Sequence, residues 1–283
     1  MAMIYKLGSI NIDHRYRMAS FVRPGETLIC DDYQQFAGGK GLNQSIALAR
    51  AGAQVAHVGA CGPDARLCLD MLYQAGANLD FVNTDAQVSG HAVISVDDAG
   101  ENQIVVVPGA NHQIPQKQMA SALDQTQPGD WWVMQNETNG QIECARAAQA
   151  KQARVAYSAA PFDAAAVKAL LPQLDLLSVN QVEAEQVQQL LNAPPEDWGV
   201  QVLITLGARG AKFWDGRQWF QQSAPTVEAV DTTGAGDTFF GFFLAALERQ
   251  GPQDALALAS RAAAIQVTRH GAADAIPTWQ ECQ

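Results

Sequence analysis

Short apolar runs alternate with helical patterns along most of the chain. Such runs occur at residues 4–7, 55–60, 131–134, 155–157, 174–179 and 202–205, and each is predicted to be a strand. Apolar residues at helical spacing follow at residues 44–51, 65–75, 141–152, 164–170, 238–249 and 253–269. Because strands that alternate with helices form parallel sheets covered on both faces, we predict an α/β fold with a mostly parallel central sheet.

Two β-rich segments interrupt this alternation. Pro24-Gly25-Glu26 is predicted to be a turn between strands at residues 16–22 and 27–36, and Asp98-Ala99-Gly100 a turn between residues 88–97 and 101–107. We expect both segments, at about residues 13–37 and 88–107, to pair as one small sheet. No repeat or linker-like stretch divides the chain, so we predict a single domain over residues 1–283.

A glycine-bearing turn runs directly into the apolar helix at residues 238–249. Gly234 and Gly236 leave backbone N–H groups unhindered, and the helix adds its own free N–H groups and the positive end of its dipole. This combination predicts an anion site with Asp237 in its middle. An acidic residue at a helix start is often only a cap, but a cap does not explain the two glycines. A base beside an anion site is what phosphoryl transfer to a hydroxyl requires.

A second glycine-rich stretch, GGKGLN at residues 38–43, also precedes a helical pattern. Lys40 could meet a phosphate and Asn43 a hydroxyl, although a plain glycine-rich loop is the alternative. It is not a Walker A loop, because the upstream glycine is missing and Gly41 stands where Ser or Thr is required.

Further polar residues lie where predicted strands end, the edge at which open α/β sheets bind ligands. Asn11 and Asp13 share a face of an extended chain and could bind vicinal hydroxyls, with a simple turn as the alternative. Glu137 follows one strand, and Asn180 and Glu183 follow another. Each could singly be a cap or a solvated group, but the set favours a ligand site.

Charge and composition narrow the function further. The chain has 283 residues, a net charge of −11 and a pI near 4.8, which disfavour a broad nucleic-acid-binding surface. We find no bilayer-spanning apolar run and no signal-peptide layout at the N-terminus, so we expect a cytoplasmic protein without membrane contact. The five cysteines form no CxxC pair and the histidines lack metal-ligand spacing, which disfavours a zinc site.

Taken together, these motifs resemble the ribokinase-like (PfkB-type) carbohydrate kinase family. The resemblance rests on GGKGLN at residues 38–43 and DTTGAGDTF at 231–239, in that order, with NQVE at 180–183 between them. It extends over nearly the whole chain through GSINID at 8–13, PGET at 24–27, TLGARG at 205–210 and AAAIQVTR at 262–269. The N-terminal part is most similar to the ribokinase branch.

The resemblance implies an ATP- and Mg²⁺-dependent kinase that phosphorylates a primary hydroxyl, with O5 of ribose as the favoured acceptor. Asp237 would be the base, and the N–H groups of Gly234, Ala235 and Gly236 would form the anion hole. The sugar would be held by Asn11, Asp13, Gly39, Lys40, Asn43 and Glu137. The nucleotide side would comprise Asn180, Glu183, Thr205, Gly207 and Gly210, with Glu183 reaching Mg²⁺ through water.

The resemblance also implies a monovalent cation, K⁺, beside the anion hole. Its ligands would come from Asp231, Thr233, Val267, His270, Ala272 and Ile276, mainly through backbone carbonyls. The small sheet would act as a lid over the sugar, and its exposed face would form a homodimer.

Two alternatives remain open at the level of sequence. One is a family kinase for another acceptor, such as fructose, deoxyribose, a ketodeoxysugar or a nucleoside. The other is a sugar-binding regulator without catalysis, which the intact Asp237 and glycine turn disfavour. In addition, Ser158-Ala159-Ala160-Pro161 stands where ribokinases often carry an Asn-Pro-Ala-Pro run, so the wall beside the nucleotide is expected to differ.

Overall fold

The computed structural model describes residues 2–283 and contains two sheets. The strands are β1 (Met3–Leu7), β2 (Asn11–Arg17), β3 (Asp32–Gly38), β4 (Gln54–Ala60), β5 (Asn78–Asn83), β6 (Gly90–Val96), β7 (Asn102–Val107), β8 (Trp131–Gln135), β9 (Arg154–Ser158), β10 (Leu176–Asn180), β11 (Gln201–Thr205), β12 (Ala211–Trp214) and β13 (Trp219–Gln222). The α-helices are α1 (Lys40–Arg50), α2 (Arg66–Ala75), α3 (Gln116–Gln125), α4 (Gln141–Ala150), α5 (Ala164–Leu170), α6 (Gln181–Leu191), α7 (Ala235–Gln250) and α8 (Pro252–Val267).

The central sheet has nine strands in the order β13-β12-β11-β10-β9-β8-β1-β4-β5. All neighbours from β11 to β5 pair in parallel, and β12 and β13 add an antiparallel hairpin at one edge. The predicted α/β architecture is therefore confirmed. The parallel strands were recognisable because both of their faces are buried, which makes them nearly continuous apolar runs.

Each face of the central sheet has its own apolar core. Ile4 of β1 packs into one cluster with α1, α7 and α8, whereas Tyr5 and Leu7 point into the other cluster with α3 to α6. Helix α7 is apolar on nearly all sides because it is buried between α1, α8 and the sheet. Within residues 2–283, we find no helix with the length and apolar character needed to cross a bilayer.

The smaller sheet has the order β3-β2-β6-β7 and joins the two predicted β-rich segments. Its strand bounds differ from the prediction, since residues 18–31 lie outside any strand. Arg17 pairs with Asp32 on one side and Val96 on the other, and both partner strands stop at that level. Just beyond it, the N–H of Met18 donates to the Val96 carbonyl at 3.0 Å and that of Asp31 to the Arg17 carbonyl at 2.9 Å. The turn at Pro24 lies between these two contacts, in a long irregular connection.

Three further elements differ from the prediction. Helix α1 begins at Lys40 rather than near residue 44. Its first turn contains Gly41, which packs so closely on Gly8 and Ser9 that a side chain there would clash, and a glycine hides the helical pattern. Strand β5 was not predicted, since Asn78 and Asp80 interrupt its apolar pattern at the sheet edge. Helix α3 was also missed, because its buried face consists of only Met119 and Ala122.

Candidate active site

The carboxyl ends of the central parallel strands face the small sheet, and most of the predicted site residues lie there. Strand β1 ends at Leu7, and the chain turns through Gly8 and Ser9 into β2, the second strand of the small sheet. Asn11 and Asp13 therefore lie within β2 itself rather than in the loop that the simple-turn alternative assumed. Side chains from both sheets can face a ligand bound between them.

Asp237 lies in the first turn of α7 and is 8% exposed. Its Oδ1 accepts a hydrogen bond from Gln44 Nε2 at 2.8 Å, and its Oδ2 accepts one from Asn43 Nδ2 at 3.2 Å. Both donors belong to α1, so the packing of α1 on α7 positions this carboxylate. Sequence reasoning found Asn43 but missed Gln44. The side chain of Gln44 is buried within α1, and from the sequence it is only one polar residue in a helical pattern.

The anion turn in front of Asp237 has the predicted backbone form. Gly234 has a φ of 74°, a left-handed conformation that favours glycine, and it is the N-cap of α7. The N–H of Ala235 donates to the carbonyl of Thr232 at 3.2 Å, so this predicted anion-hole donor is engaged within the turn. In the chain from residue 2 onwards, the N–H groups of Gly234 and Gly236 have no such partner. A methyl group added at Gly236 would meet no protein atom within 4 Å.

Glu137 joins the central sheet to the start of α1. Its Oε2 accepts the backbone N–H of Lys40 at 3.0 Å and the hydroxyl of Ser9 at 2.5 Å. Ser9 Oγ in turn accepts the N–H of Gly41 at 3.0 Å. A carboxylate at this helix start is stabilised by the free N–H groups and the helix dipole. Sequence reasoning missed Ser9, because a small polar residue inside a glycine turn has no distinctive pattern.

The predicted sugar-binding residues of β2 and β3 lie next to this network. Asn11 is buried, and its Oδ1 accepts from Asn111 Nδ2 at 2.7 Å. A side chain at Gly38 would meet the Asp13 carboxylate, so a substitution there would displace that carboxylate. Gly39 has a φ of 91°, and a Cβ there would lie 3.1 Å from both the Asn11 nitrogen and Ser9 Oγ.

Burial and the negative charge of Glu137 raise the pKa of Asp13 to about 6. Lys40 is affected in the opposite sense. Burial lowers the pKa of its ammonium group, but the carboxylates of Asp237, Glu137 and Glu183 outweigh burial and raise it. Lys40 is therefore protonated, and it lies in the field of acidic groups from both the predicted sugar-binding set and the predicted nucleotide-binding set.

Lys6 lies fully buried beneath the site and was not predicted as part of it. Its ammonium donates to Gln135 Oε1 at 2.5 Å, and Gln135 Nε2 lies 3.4 Å from Ser9 Oγ. Burial lowers the pKa of Lys6 to about 7, although Asp237 and Glu137 act against burial. A buried polar chain thus links Lys6 to Glu137.

Of the residues predicted to bind the nucleotide, Asn180 and Glu183 form a capping box at the start of α6. Asn180 Oδ1 accepts the Glu183 N–H at 2.9 Å, and Glu183 Oε2 accepts the Asn180 N–H at 2.8 Å. The second oxygen of Glu183 is not used in this motif. Burial is the largest influence on Glu183 and raises the pKa of its carboxyl group.

Thr205 pairs with Asn180 across β10 and β11, so both lie at the same sheet edge. The turn after Thr205 contains two glycines in left-handed conformations, Gly207 with a φ of 60° and Gly210 with a φ of 98°. A side chain at Gly210 would clash with the carbonyl of Gln222 in β13. Gly210 is therefore explained by the close approach of the turn after Thr205 to the β12–β13 hairpin.

The predicted monovalent-cation site does not fit the structure. Most of its carbonyls already accept hydrogen bonds from protein donors: Thr233 and Ala272 from Gln266 Nε2 at 2.9 and 3.4 Å, Val267 from the N–H groups of Val230 and Asp231 at 2.7 and 3.1 Å, and Ile276 from the Arg50 guanidinium. The Asp231 carboxylate accepts the N–H groups of Thr233 and Gly271, at 2.9 and 3.1 Å. His270 is exposed. Four of the five predicted backbone ligands, the carbonyls of Thr233, Val267, Ala272 and Ile276, are thus already bound by protein donors, and within residues 2–283 only the carbonyl of His270 is not.

A cavity of about 560 Å³ lies elsewhere, at the amino ends of β9 and β11. Arg154 lies in it, 4.4 Å above the ring of Trp131, and pairs with Glu248. None of the residues that line this cavity belongs to the predicted site. We place the active site at the opposite, carboxyl edge because the convergent hydrogen bonds and charges are found there.

Comparison with known proteins identifies the family of the chain. The model of the family described as pfkB family carbohydrate kinase matches residues 1–279. The chain is 36% identical to the ribokinase of Haemophilus influenzae, with 97% of this chain and 95% of that protein covered. Among solved structures, the ribokinase of Cryptococcus neoformans var. grubii in complex with ADP has a TM-score of 0.87 and 30% identity, with 99% of this chain and 98% of that one covered. The ribokinase of Arabidopsis thaliana complexed with ribose and ATP has a TM-score of 0.85 and 28% identity, with 100% and 98% covered. The chain belongs to the pfkB family of carbohydrate kinases.

Proposed function

We propose that this protein transfers the γ-phosphoryl group of ATP to O5 of ribose. The observation that carries the proposal is the Asp237 carboxylate, held by Asn43 and Gln44 beside a turn with free N–H groups. A base next to an anion-binding turn suits in-line transfer to a hydroxyl. The choice of ribose draws on the relatives, since the matched proteins of Haemophilus influenzae and Arabidopsis thaliana are ribokinases and the second was solved with ribose and ATP.

In the proposed reaction, Asp237 accepts the proton of the acceptor hydroxyl while the new phosphorus–oxygen bond forms. The hydrogen bonds from Asn43 and Gln44 fix both carboxylate oxygens, so the base needs little reorganisation during the reaction. The free N–H groups of Gly234 and Gly236 and the positive end of the α7 dipole stabilise the charge on the phosphoryl oxygens. The ammonium group of Lys40 adds a positive charge between the acceptor and the phosphates.

The sugar would lie between β2 and the start of α1. The Asp13 carboxylate and the Asn11 amide would bind neighbouring hydroxyls from one side, and Glu137 from the other. Asn43 Oδ1 supports this placement, because it is buried and no donor reaches it anywhere in residues 2–283. A buried acceptor without a partner is costly, and a sugar hydroxyl would satisfy it.

ATP would extend from the anion turn toward α6, along Asn180, Glu183, Thr205, Gly207 and Gly210. Mg²⁺ usually keeps several waters and binds through one or two carboxylates together with substrate phosphates. One carboxylate oxygen of Glu183 takes no part in the capping box, and it is suited to such a water-mediated contact. When bound, the metal would neutralise phosphate charge.

The small sheet would serve as a lid over the sugar and as the contact between two copies of the chain. Ile104, Val105 and Val106 are consecutive on β7, an edge strand, and are 54%, 62% and 58% exposed. An unpaired edge with exposed apolar side chains on both faces is a surface that proteins usually cover. A second copy would cover it, and lid closure would exclude water from the phosphoryl group.

The proposal is tested by measuring ADP release with ATP and Mg²⁺ against a panel of ribose, deoxyribose, fructose and several nucleosides. We expect the highest kcat/KM with ribose and a product phosphorylated at O5, identified by mass spectrometry and phosphorus NMR. Preference for a nucleoside or for fructose would overturn the choice of acceptor. ADP release that no acceptor stimulates would overturn the proposed kinase activity.

A further inference from the structure

Gln266 connects the anion turn to the loop after α8. Its side chain is completely buried in the last turn of α8. Nε2 donates to the carbonyl of Thr233 at 2.9 Å and lies 3.4 Å from the carbonyl of Ala272. One amide group therefore holds two backbone segments that are far apart in sequence.

The amide lies directly against the anion turn. A Cβ placed on Gly234 would be 3.1 Å from Gln266 Nε2 and 3.4 Å from Asn43 Nδ2. Gln266 thus packs beneath the N-cap of α7, on the side where Asn43 reaches Asp237. In contrast to Nε2, Gln266 Oε1 is buried, and no donor in residues 2–283 reaches it. A buried oxygen without a donor carries a cost, and the contacts of Nε2 at the other end of the amide offset it.

The contact with Thr233 acts on the peptide group that carries an anion-hole donor. The Thr233 carbonyl and the Gly234 N–H belong to the same peptide group. A hydrogen bond at the carbonyl polarises this group and makes its N–H a stronger donor. A cation bound to the same carbonyl would have the same effect on the Gly234 N–H.

We propose that the Gln266 amide takes the place of a monovalent cation, so that it positions and polarises the anion turn without K⁺. The carbonyls of Thr233 and Ala272 converge on Nε2, and a cation bridging them would need the same position. Val267 and Ile276 do not supply substitutes, since protein donors already occupy their carbonyls. Gln266 is a positioning residue here, because it acts through the Thr233–Gly234 peptide group rather than on substrate.

The orientation of the Gln266 amide decides whether a cation is needed. With Nε2 toward the two carbonyls, donor and acceptors match and no ion is needed. Rotation of the amide by 180° would instead direct three oxygens, those of Thr233, Ala272 and Gln266, at one another. A cation would then have to bridge them. The two arrangements thus predict opposite responses to K⁺.

The first test uses the unmodified protein, exchanged into tetramethylammonium chloride. ADP release is measured with the best acceptor in tetramethylammonium, sodium, potassium or caesium chloride at one ionic strength. We expect rates that agree within about twofold, which is small beside the roughly tenfold effect of a lost pair of hydrogen bonds. Strong stimulation by K⁺ over tetramethylammonium would overturn the proposal.

The second test replaces the amide. Gln266→Ala opens the position between the carbonyls, and Gln266→Glu substitutes a carboxylate that cannot donate. We expect both to lose about tenfold or more in kcat in tetramethylammonium chloride and to recover on addition of K⁺. Gln253→Ala, an exposed glutamine of the same helix, is the matched control and should show neither effect. Full activity of Gln266→Ala without K⁺ would also overturn the proposal.

A readout without substrate separates this inference from the proposed function, on which only the rate measurements rest. The melting temperature of the ligand-free protein is measured with K⁺ and with tetramethylammonium. It should be the same in both salts for the unmodified protein and for Gln253→Ala, and higher with K⁺ for Gln266→Glu. A K⁺-dependent rise in the unmodified protein would contradict the proposal, even if no acceptor were phosphorylated.

Discussion

Asp237 shows how a carboxylate in a helix start can be more than a cap. A capping group would bond the free N–H groups of its own helix, whereas both oxygens of Asp237 are bound by side chains of a different helix. These donors hold the carboxylate in place and leave the N–H groups of the turn to a ligand.

Asp237→Asn should remove the proposed base, while the asparagine keeps nearly the same side-chain shape. We expect kcat for ribose to fall by roughly two to four decades, the usual value of general-base catalysis, with ribose binding largely retained. The measurement is steady-state ADP release, with ribose binding followed by calorimetry and folding by thermal unfolding. A correctly folded variant with near-normal kcat would show that another group accepts the proton.

Asp13 should make ribose binding depend on pH. Burial and the nearby charge of Glu137 raise its pKa to about 6, so it gains a proton as pH falls through that value. A protonated carboxyl loses acceptor capacity toward sugar hydroxyls, and KM for ribose should therefore rise below about pH 6. In Asp13→Asn, the KM should be high and nearly constant over the same range. An equally steep rise in that variant would assign the pH dependence to a different group.

Lys6 should affect stability in a pH-dependent way. Burial lowers its pKa from 10.5 to about 7 in the folded protein. Below about pH 7, both the folded and the unfolded chain carry the proton and the cost of burying the charge is complete. Between about pH 7 and 10, the unfolded chain binds more protons, so this cost is relieved and stability rises with pH by at most about 1.4 kcal/mol per unit.

The rise attributed to Lys6 is measured by urea unfolding of the wild type and of Lys6→Met at several pH values. The Met variant lacks this titration, so the difference between the two free energies of unfolding should change steadily in favour of the wild type from pH 7 to 10. Parallel curves for the two proteins would mean that Lys6 does not titrate in this range.

At the level of elements, the site depends on the contact between α1 and α7. Gly241 of α7 allows it, since a Cβ there would lie 2.5 Å from Ala47 Cβ and 3.0 Å from the Leu48 nitrogen. Because α1 carries Asn43 and Gln44 and α7 carries Asp237, the spacing of the two helices sets the geometry of the base.

Substitutions at two glycines of α7 should have different effects, one on packing and the other on catalysis. Gly241→Ala forces α1 and α7 apart and should lower the free energy of unfolding by about 1–3 kcal/mol. Gly236→Ala meets no protein atom and should leave stability unchanged or raise it by up to about 1 kcal/mol, because alanine favours the helix. Its methyl group would crowd the phosphoryl position, so kcat/KM should fall strongly. Denaturant unfolding and ADP release measure both; a fully active Gly236→Ala would mean that the phosphoryl group needs no glycine there.

The sequence predicted the elements whose pattern is imposed by burial. The parallel strands stood out as apolar runs, and polar residues at their ends led to Asn11, Asp13 and Glu137. In contrast, β5 was hidden by polar residues at an exposed edge. Gln266 lies inside an otherwise apolar helical stretch, and no local pattern distinguishes a buried amide that binds two carbonyls. The cation ligands were hard to assign for the same reason, since backbone carbonyls have no signature in side-chain sequence.

At the scale of the whole molecule, the residues of the candidate site are distributed over both sheets. The central sheet and its helices carry Asp237, the anion turn and the proposed nucleotide-binding residues, while the small sheet carries Asn11 and Asp13. Because β2 continues directly from the turn after β1, a movement of the small sheet would change the distance between Asp237 and the proposed sugar-binding groups, Asn11 and Asp13. This connection fits the proposed lid, which would complete the site only when a sugar is bound.

The exposed edge of the small sheet predicts how two copies of the chain assemble. Val105 lies in the middle of the apolar row on β7 and is 62% exposed, so a lysine in its place would put a charge into any contact between two copies. We expect the wild type to sediment as a dimer and Val105→Lys as a monomer, because an unpaired buried charge is costly at an interface. Val182→Lys, at a 64% exposed valine of α6, is the matched control and should remain dimeric. A wild type that stays monomeric at all concentrations, or a dimeric Val105→Lys, would place the dimer contact elsewhere or exclude it.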